Sequence, residues 1–386
     1  MPARKLKVAL MSYAMDNRQG KGTALYARKL TERLLSDDRL QVTLVHYEHV
    51  DDPLYEKAEE IIMPRLRLPI ATRFVRQLLF FWKYRNRQFD IIHWFQPRVY
   101  PFFWLAPARR LIVTAYCAGD ITAPGVYPLS RRMFNYSLRR FNHKLSAILS
   151  SSEFGREEII QYYGSDPART HTIYLGGGEE YISLPKSDAQ KLVRAKYAIS
   201  PPFILDISRH VAHKNIVSVV KAFEIFRSAA GLPHELVIVG FRGNDSERIA
   251  KIVEESKFKE HIRFINYVDN EDLNAIYSAA DVFVFPSLNE GFGFPVVEAL
   301  ASGTPVVTSN ATSLPEIAGN AAITVDPLDV NALADGISRI LTDTALAKSL
   351  REKGLARAKD FTWKRTAEET VALYQRLMSS DGGASS

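Results

Sequence analysis

The 386-residue chain is 46% hydrophobic and 24% charged, the balance of a folded protein with a sizeable core, and such a length predicts two domains. A single cysteine, Cys117, excludes an internal disulfide; it points to a reducing compartment and reads as a small core residue rather than a nucleophile. No apolar run approaches the roughly 18 residues that cross a bilayer, so the expectation is a cytoplasmic protein, and the net charge of +7 directs attention to anionic partners.

The first residues, MPARKLKVALMSYAM, have the bases and short apolar run of a signal peptide. They run on into a glycine-containing loop and an amphipathic helix, so 7–12 reads as a buried first strand. Gly20-Lys21-Gly22 forms the loop, Thr23 is placed to cap the helix, and Tyr26, Leu30 and Leu34 supply its apolar face. Residues 42–47, 91–95, 110–114 and 147–150 read as further strands. Gly176-Gly177-Gly178 marks a break, and 185–200 reads as a charged helix leading to Pro201-Pro202. A second series follows, with strands at 203–207, 236–239, 262–265, 282–285 and 305–308. They alternate with helices at 215–227, 246–255, 271–279 and 295–301. Strands alternating with helices mean parallel sheets covered on both faces. The expected architecture is therefore α/β: two doubly wound domains, 1–183 and 184–386, facing each other. The tail SSDGGASS at 379–386 has the composition of a disordered segment.

The most informative stretch is 286–315, PSLNEGFGFPVVEALASGTPVVTSNATSLP. Glu290 and Glu298 lie on either side of Gly291-Phe292-Gly293-Phe294-Pro295. Proline suits the first helical position, so a helix is expected from Pro295, with Glu290 in the loop before it and Glu298 on its first turn. The N–H groups of 293–297 are then expected to be free, a ready site for a phosphate or for sugar hydroxyls. Two carboxylates would repel a phosphate and make more sense as acceptors for hydroxyls, one for a ribose diol and one for a hexose. The plainer alternative has Glu298 complementing the helix dipole and Glu290 solvated.

This string resembles the retaining glycosyltransferases of family 4, the group 1 transferases, whose E-x7-E signature is matched by Glu290 and Glu298. SLPEIAG, NYVDNEDLNAIYSAADVFVFPS, VDPLDVNALADGI, SRHVAHKN and SAILSSSEFGREEIIQYYG extend the resemblance over nearly the whole chain, more loosely between about residues 50 and 130. It implies the GT-B fold: two facing Rossmann-like domains, the active site in the cleft between them, and a C-terminal helix at about 364–379 returning to the first domain. It also implies that Glu298 binds the nucleotide ribose and that Glu290 holds donor-sugar hydroxyls. Gly293, Phe294 and Pro295 would offer backbone contacts, and Arg209 and Lys214 would grip the diphosphate. That last pair has independent physical support. Negative charge builds on a departing diphosphate, an Arg fork and a Lys point charge neutralise it, and both residues follow the strand at 203–207. Gly20 and Gly22 resemble the glycine loop near diphosphate and acceptor, although simple turn glycines fit as well.

Where the family often has a histidine, at the end of a first-domain strand, this chain has Tyr116, within Val113-Thr114-Ala115-Tyr116-Cys117-Ala118-Gly119-Asp120. A tyrosine exchanges hydrogen bonds but holds no proton's charge near neutral pH, so Tyr116 or Asp120 has a different role or the histidine's role is dispensable. His93 reads either as a residue reaching the cleft or as a satisfied core histidine. There is no D-x-D and no H-E-x-x-H, and Asp326 and Asp329 read as turn residues, so no metal and no other cofactor is expected.

The charge is uneven: residues 61–152 carry fifteen Lys and Arg against two acids, Asp90 and Asp120. Within them RFVRQLLFFWKYRNR, 73–87, mixes bases with aromatics. Two readings fit, a face for an anionic membrane surface or a helix packed on the first sheet with its bases in solvent. No signature of a nucleic-acid-binding fold is present. The resemblance as a whole implies transfer of a hexose from a nucleotide diphosphate sugar to a saccharide or lipid-linked saccharide in cell-surface polysaccharide or glycolipid synthesis. The SLPE wording at 313–316 leans toward mannose. The donor is expected to be GDP-mannose or a UDP-hexose, and the enzyme to lie in the cytoplasm, with a peripheral place on the inner face of the plasma membrane. Three alternatives stay open: a sugar-nucleotide epimerase, a phosphorylase on the same fold, and a silent nucleotide-sugar-binding subunit. A glycoside hydrolase would leave the basic pair unused.

Overall fold

The structure is a computed structural model that describes residues 4–16, 22–49, 52–64, 72–118, 121, 129–200 and 202–379. Gly20, Asp120 and the tail beyond Ser379 lie outside the described residues. The chain forms two units, Met1–Gly176 with Trp363–Ser386, and Gly177–Thr362. The passage between them falls at Gly176–Gly177, ahead of the break expected at 183–184.

In the first unit, β1 (Leu6–Met11), β2 (Leu40–His46), β3 (Glu59–Ile62), β4 (Phe89–Trp94), β5 (Ala108–Tyr116), β6 (Ala147–Ser150) and β7 (Thr170–Thr172) form one sheet in the order β3-β2-β1-β4-β5-β6-β7. Every pairing is parallel. Parallel strands covered on both faces need continuous apolar runs, and every residue of β4 and β6 is buried. Helices α1 (Thr23–Leu35), α2 (Thr72–Lys83), α3 (Leu129–Phe141) and α4 (Glu153–Tyr163) connect them. Helix α1 begins on Gly22, whose positive φ of 62° sets the entry. Thr23 is therefore its first residue and not its cap, and the Thr23 side chain hydrogen-bonds Tyr116 instead.

On α2 the aromatic run turns inward. Phe80 and Phe81 are buried in the core with Trp94 and Phe103, while Trp82 is 66% exposed. Even Arg76 is buried, donating to the carbonyls of Met63 and Pro64. For these aromatics the structure has the packed helix of the two readings.

In the second unit, α5 (Lys186–Tyr197) precedes β8 (Phe203–Ile207), β9 (Glu235–Val239), β10 (Ile262–Ile265), β11 (Val282–Phe285), β12 (Val306–Ser309) and β13 (Ala322–Val325). The sheet order is β10-β9-β8-β11-β12-β13, again parallel throughout. Helices α6 (Ile216–Ala230), α7 (Ser246–Glu254), α8 (Asn270–Ala279), α9 (Phe294–Ala301), α10 (Leu314–Ala318), α11 (Val330–Thr342) and α12 (Thr344–Ala358) follow in turn. Val219, Phe223 and Phe226 of α6 and Leu333 and Ile337 of α11 close one face of the sheet over Ile204, Ile238 and Val284.

The last helix, α13 (Trp363–Ser379), belongs to the first unit and packs on α1. Trp363 and Tyr374 are buried, and Thr366 donates to the carbonyl of Tyr174. Gly176 lies so close to this helix that a Cβ there would sit 2.3 Å from the Trp363 nitrogen, so no larger residue fits. No helix among the described residues is long and apolar enough to cross a membrane.

Candidate active site

In open α/β sheets a ligand lies beyond the carboxyl ends of the strands, where the strand order reverses. In the second unit that point is between β8 and β11, since β8 leads outward to β9 and β10 while β11 starts the other half. The residues singled out in this domain follow these two strands: Arg209 and Lys214 come after β8, Glu290 and Glu298 after β11.

The two loops are tied together. Ser287 and the Leu288 N–H both donate to the carbonyl of His213, at 3.0 and 2.7 Å. Asn215, held left-handed at φ 58°, donates from its amide to the carbonyls of Pro286 and Pro327. On this frame Lys214 Nζ donates to Glu290 Oε1 at 2.5 Å and lies 4.9 Å from the centre of the Phe285 ring. The Lys214 and Glu290 side chains are only 17% and 14% exposed, so each leans on the other. Thr312 accepts from the Glu290 N–H, and Ser313 donates to the carbonyls of Glu290 and Phe292, which holds the glycine loop in place. Arg209 is exposed, and no described residue pairs with its guanidinium. The loop therefore presents one paired and one exposed cation, a set suited to an anionic group.

Helix α9 differs in two ways from expectation. Gly293 takes the cap position at φ 114°, so the helix starts at Phe294, with Pro295 second and Glu298 beyond the first turn. The Val296 and Val297 N–H groups, expected to be free, both turn back to the Gly293 carbonyl. A left-handed cap leaves that carbonyl within reach of both. A Cβ at Gly293 would lie 2.6 Å from Leu314 Cδ2, so that side-chain end would have to shift, and the φ of 114° is strained for any other residue.

Glu298 is half-buried, and the Tyr277 hydroxyl donates to its Oε2 at 2.8 Å. Tyr181 hydrogen-bonds it as well, and burial followed by the charge of Glu298 raises both phenols well above their usual range. Both rings therefore stay neutral donors that orient the carboxylate. Glu298 thus does more than complement a helix end. Sequence reasoning missed this pair; the one local signal was Tyr277 within the family-like NAIYSAAD run. It also missed Asp206 on β8. That carboxyl is fully buried, takes one hydrogen bond at 2.6 Å from Ser208, and leaves its second oxygen without a partner among the described residues. Burial raises its pKa to about 7 against the lowering effects of Ser208 and Lys214.

In the first unit Tyr116 ends β5 left-handed at φ 63°. Its hydroxyl donates to the Phe95 carbonyl at 2.6 Å, and its own carbonyl accepts from Ser150 Oγ at 2.6 Å. Burial first, then neighbouring Tyr26, pushes the phenol well above its usual range. Its proton is committed to Phe95, which leaves only lone pairs to offer. His93 is the satisfied core histidine of the two readings. Its ring nitrogens meet Tyr374 at 2.6 Å and Thr114 at 2.8 Å, and burial lowers its pKa to about 3. Gly22 caps α1 with open space around its Cα. Asp326 accepts from the Leu328 N–H and Asp329 caps α11, the turn roles expected of them.

Residues 190–357 match the family described as glycosyl transferases group 1, and residues 20–176 match Glycosyltransferase Family 4. The chain is 34% identical over 282 residues to O-antigen chain mannosyltransferase B of Escherichia coli, covering 72% of this chain and 73% of that one. It is 29% identical over 257 residues to the serotype-specific mannosyltransferase WbdA of the same organism; the match covers 66% of this chain but only 31% of that longer protein. Among solved structures, Anabaena HepE in complex with UDP and glucose superposes with a TM-score of 0.76 at 17% identity, covering 96% of this chain and all (100%) of that one. Sucrose-phosphate synthase of Thermosynechococcus elongatus gives 0.75 at 23% identity, over 97% of this chain and 100% of that one. With the motif spacing, the paired parallel sheets and these matches in agreement, the chain belongs to the family 4 (group 1) glycosyltransferases of the GT-B fold.

Proposed function

We propose that the enzyme is a retaining mannosyltransferase that transfers mannose from GDP-mannose to a saccharide carried on a lipid, in cell-surface polysaccharide synthesis, without a metal ion. The observation that carries the donor site is the meeting of Lys214 and Glu290 at the β8/β11 switch point, with Glu298 held by two neutral phenols nearby. In this reading Glu298 takes the ribose diol, and Glu290 takes a sugar hydroxyl while keeping Lys214 beside the diphosphate. Gly293, Phe294 and Pro295 shape the wall against the sugar. The bond from the anomeric carbon to the phosphate oxygen breaks with its electron pair going to the diphosphate. Lys214 and Arg209 stabilise that charge. The acceptor hydroxyl attacks on the same face and passes its proton to the departing phosphate oxygen.

The mannose assignment is supported by relatives that carry the name mannosyltransferase, from O-antigen synthesis in E. coli to an MMP alpha-(1->4)-mannosyltransferase in Mycolicibacterium hassiacum. UDP and glucose in the HepE structure keep a UDP-hexose as the competing donor. Calorimetric titration with GDP-mannose and UDP-glucose separates them, with tighter binding expected for GDP-mannose. Transfer to a lipid-linked oligosaccharide, followed by NMR of the anomeric proton, should show the donor's configuration kept. Inversion would refute the retaining chemistry, and binding of neither nucleotide sugar would refute the site.

A further inference from the structure

The basic N-terminal half suggested a membrane-facing surface at α2, but that helix spends Phe80 and Phe81 on the core and leaves Trp82 as its exposed ring. A different surface of the first unit has the required chemistry. Between β4 and β5 the chain makes a turn at 102–105 that buries Phe103 and leaves Phe102 and Leu105 47% and 59% exposed. Phe102 is held left-handed at φ 67°, a conformation that disfavours a bulky side chain. Strain that keeps an apolar ring in water is a cue to function. Ring contacts extend this turn into a patch: Phe102 to Trp104 at 5.4 Å, Trp104 to Phe141 at 4.6 Å, and Phe141 to Tyr136 at 6.1 Å. Tyr136 on α3 is 58% exposed.

The bases lie on the same helix face. Arg132, Tyr136 and Arg140 are spaced by four, and Arg139 is three beyond Tyr136, so they share one side of α3. The guanidinium of Arg140 stands 5.5 Å from the centre of the Phe141 ring, and all three arginines are exposed. The opposite face of α3, with Leu138 buried, packs on α4. Residues 91–150 contain a single acid, Asp120, which lies outside the described residues.

The geometry points to this patch, the 102–105 turn with the outer face of α3, as the docking surface for a bilayer containing anionic phospholipid. Aromatic and aliphatic tips seat at the headgroup boundary, and the arginines match the negative surface around them. Charge complementarity selects the occupant: exposed apolar tips joined by ring contacts to a helix face with three exposed arginines suit a surface that is both oily and anionic. The inference goes beyond the donor site, and its readouts need neither donor nor turnover.

The test is co-sedimentation of the full chain with phosphatidylcholine vesicles, with and without phosphatidylglycerol. Binding is expected only with phosphatidylglycerol and should weaken as salt rises. The pairs Phe102→Ser with Leu105→Ser, and Arg139→Glu with Arg140→Glu, should each lower the partition at least about tenfold. Leu328→Ser, an exposed apolar residue of the second unit, should leave it unchanged. Brominated lipid should quench Trp104 fluorescence. That quenching should persist in Trp82→Phe and vanish in Trp104→Phe, and unchanged melting curves confirm that the variants fold. Wild-type binding that is absent or indifferent to anionic lipid would overturn the assignment. So would patch variants that bind like wild type, or quenching that follows Trp82. Self-association abolished by the same variants, without vesicle binding, would reassign the patch to a protein contact.

Discussion

Replacing Asp206 by Asn should change how stability depends on pH more than it changes stability at any one pH. The folded chain holds this proton to about pH 7, because burial disfavours the carboxylate, whereas an unfolded chain releases it near 3.8. Between those values the native state binds more protons, so Asp206 makes stability fall as pH rises, from its full contribution below about 3.8 to a plateau above about 7. Roughly three pH units at about 1.4 kcal/mol each set a ceiling of ~4 kcal/mol. An asparagine still accepts from Ser208, but its amide nitrogen falls where no described residue offers an acceptor, a pH-independent cost of about 1–3 kcal/mol. The variant is therefore expected to melt below wild type near pH 4 and to approach or exceed it at pH 8. Scanning calorimetry of the full chain, following the transition of the second unit, should show the gap closing by several degrees, at about 2–4 °C per kcal/mol for a unit of this size. Parallel pH curves for the two proteins would refute the buried, protonated carboxyl.

Glu298→Ala should weaken nucleotide-sugar binding by about ten- to a hundredfold, since it removes a charged acceptor and strands the hydroxyls of Tyr181 and Tyr277; calorimetric titration checks this. Lys214→Ala should lower kcat by about a hundred- to a thousandfold with a smaller effect on donor affinity, measured in steady-state transfer. If both variants work normally, the donor site lies elsewhere. Gly293→Ala should destabilise the second unit by about 1–3 kcal/mol, because its Cβ meets Leu314 at 2.6 Å and its φ of 114° is strained for any side chain. Tyr374→Phe should cost the first unit about 1–3 kcal/mol by leaving a ring nitrogen of buried His93 without its partner, seen as a lower melting temperature of that unit alone. Chelation of divalent metal should leave transfer unchanged, and a strict requirement for added Mn²⁺ would refute the metal-free mechanism.

Local pattern alone determined the alternating strands and helices, because a strand's apolar run and a helix's apolar face are written in consecutive residues. Strands at 203–207, 262–265, 282–285 and 147–150 match β8, β10, β11 and β6 in both bounds. The edge strands β3, β7 and β13, of four, three and four residues, went unread, although the similarly half-exposed edge strand β10 was read. Family likeness put Lys214 and Glu290, 76 residues apart, in one donor site, but their direct ion pair had no signal in the sequence. The two tyrosines behind Glu298 had neither. Residue type also could not say which aromatics face outward. Phe80 and Phe102 are alike as side chains, yet one is buried and the other 47% exposed, because exposure depends on which elements the folded chain brings against each ring. Helix α13 is a different case: family likeness, not local pattern, implied its return to the first domain, and in the structure it packs against Tyr26, His93 and Gly176.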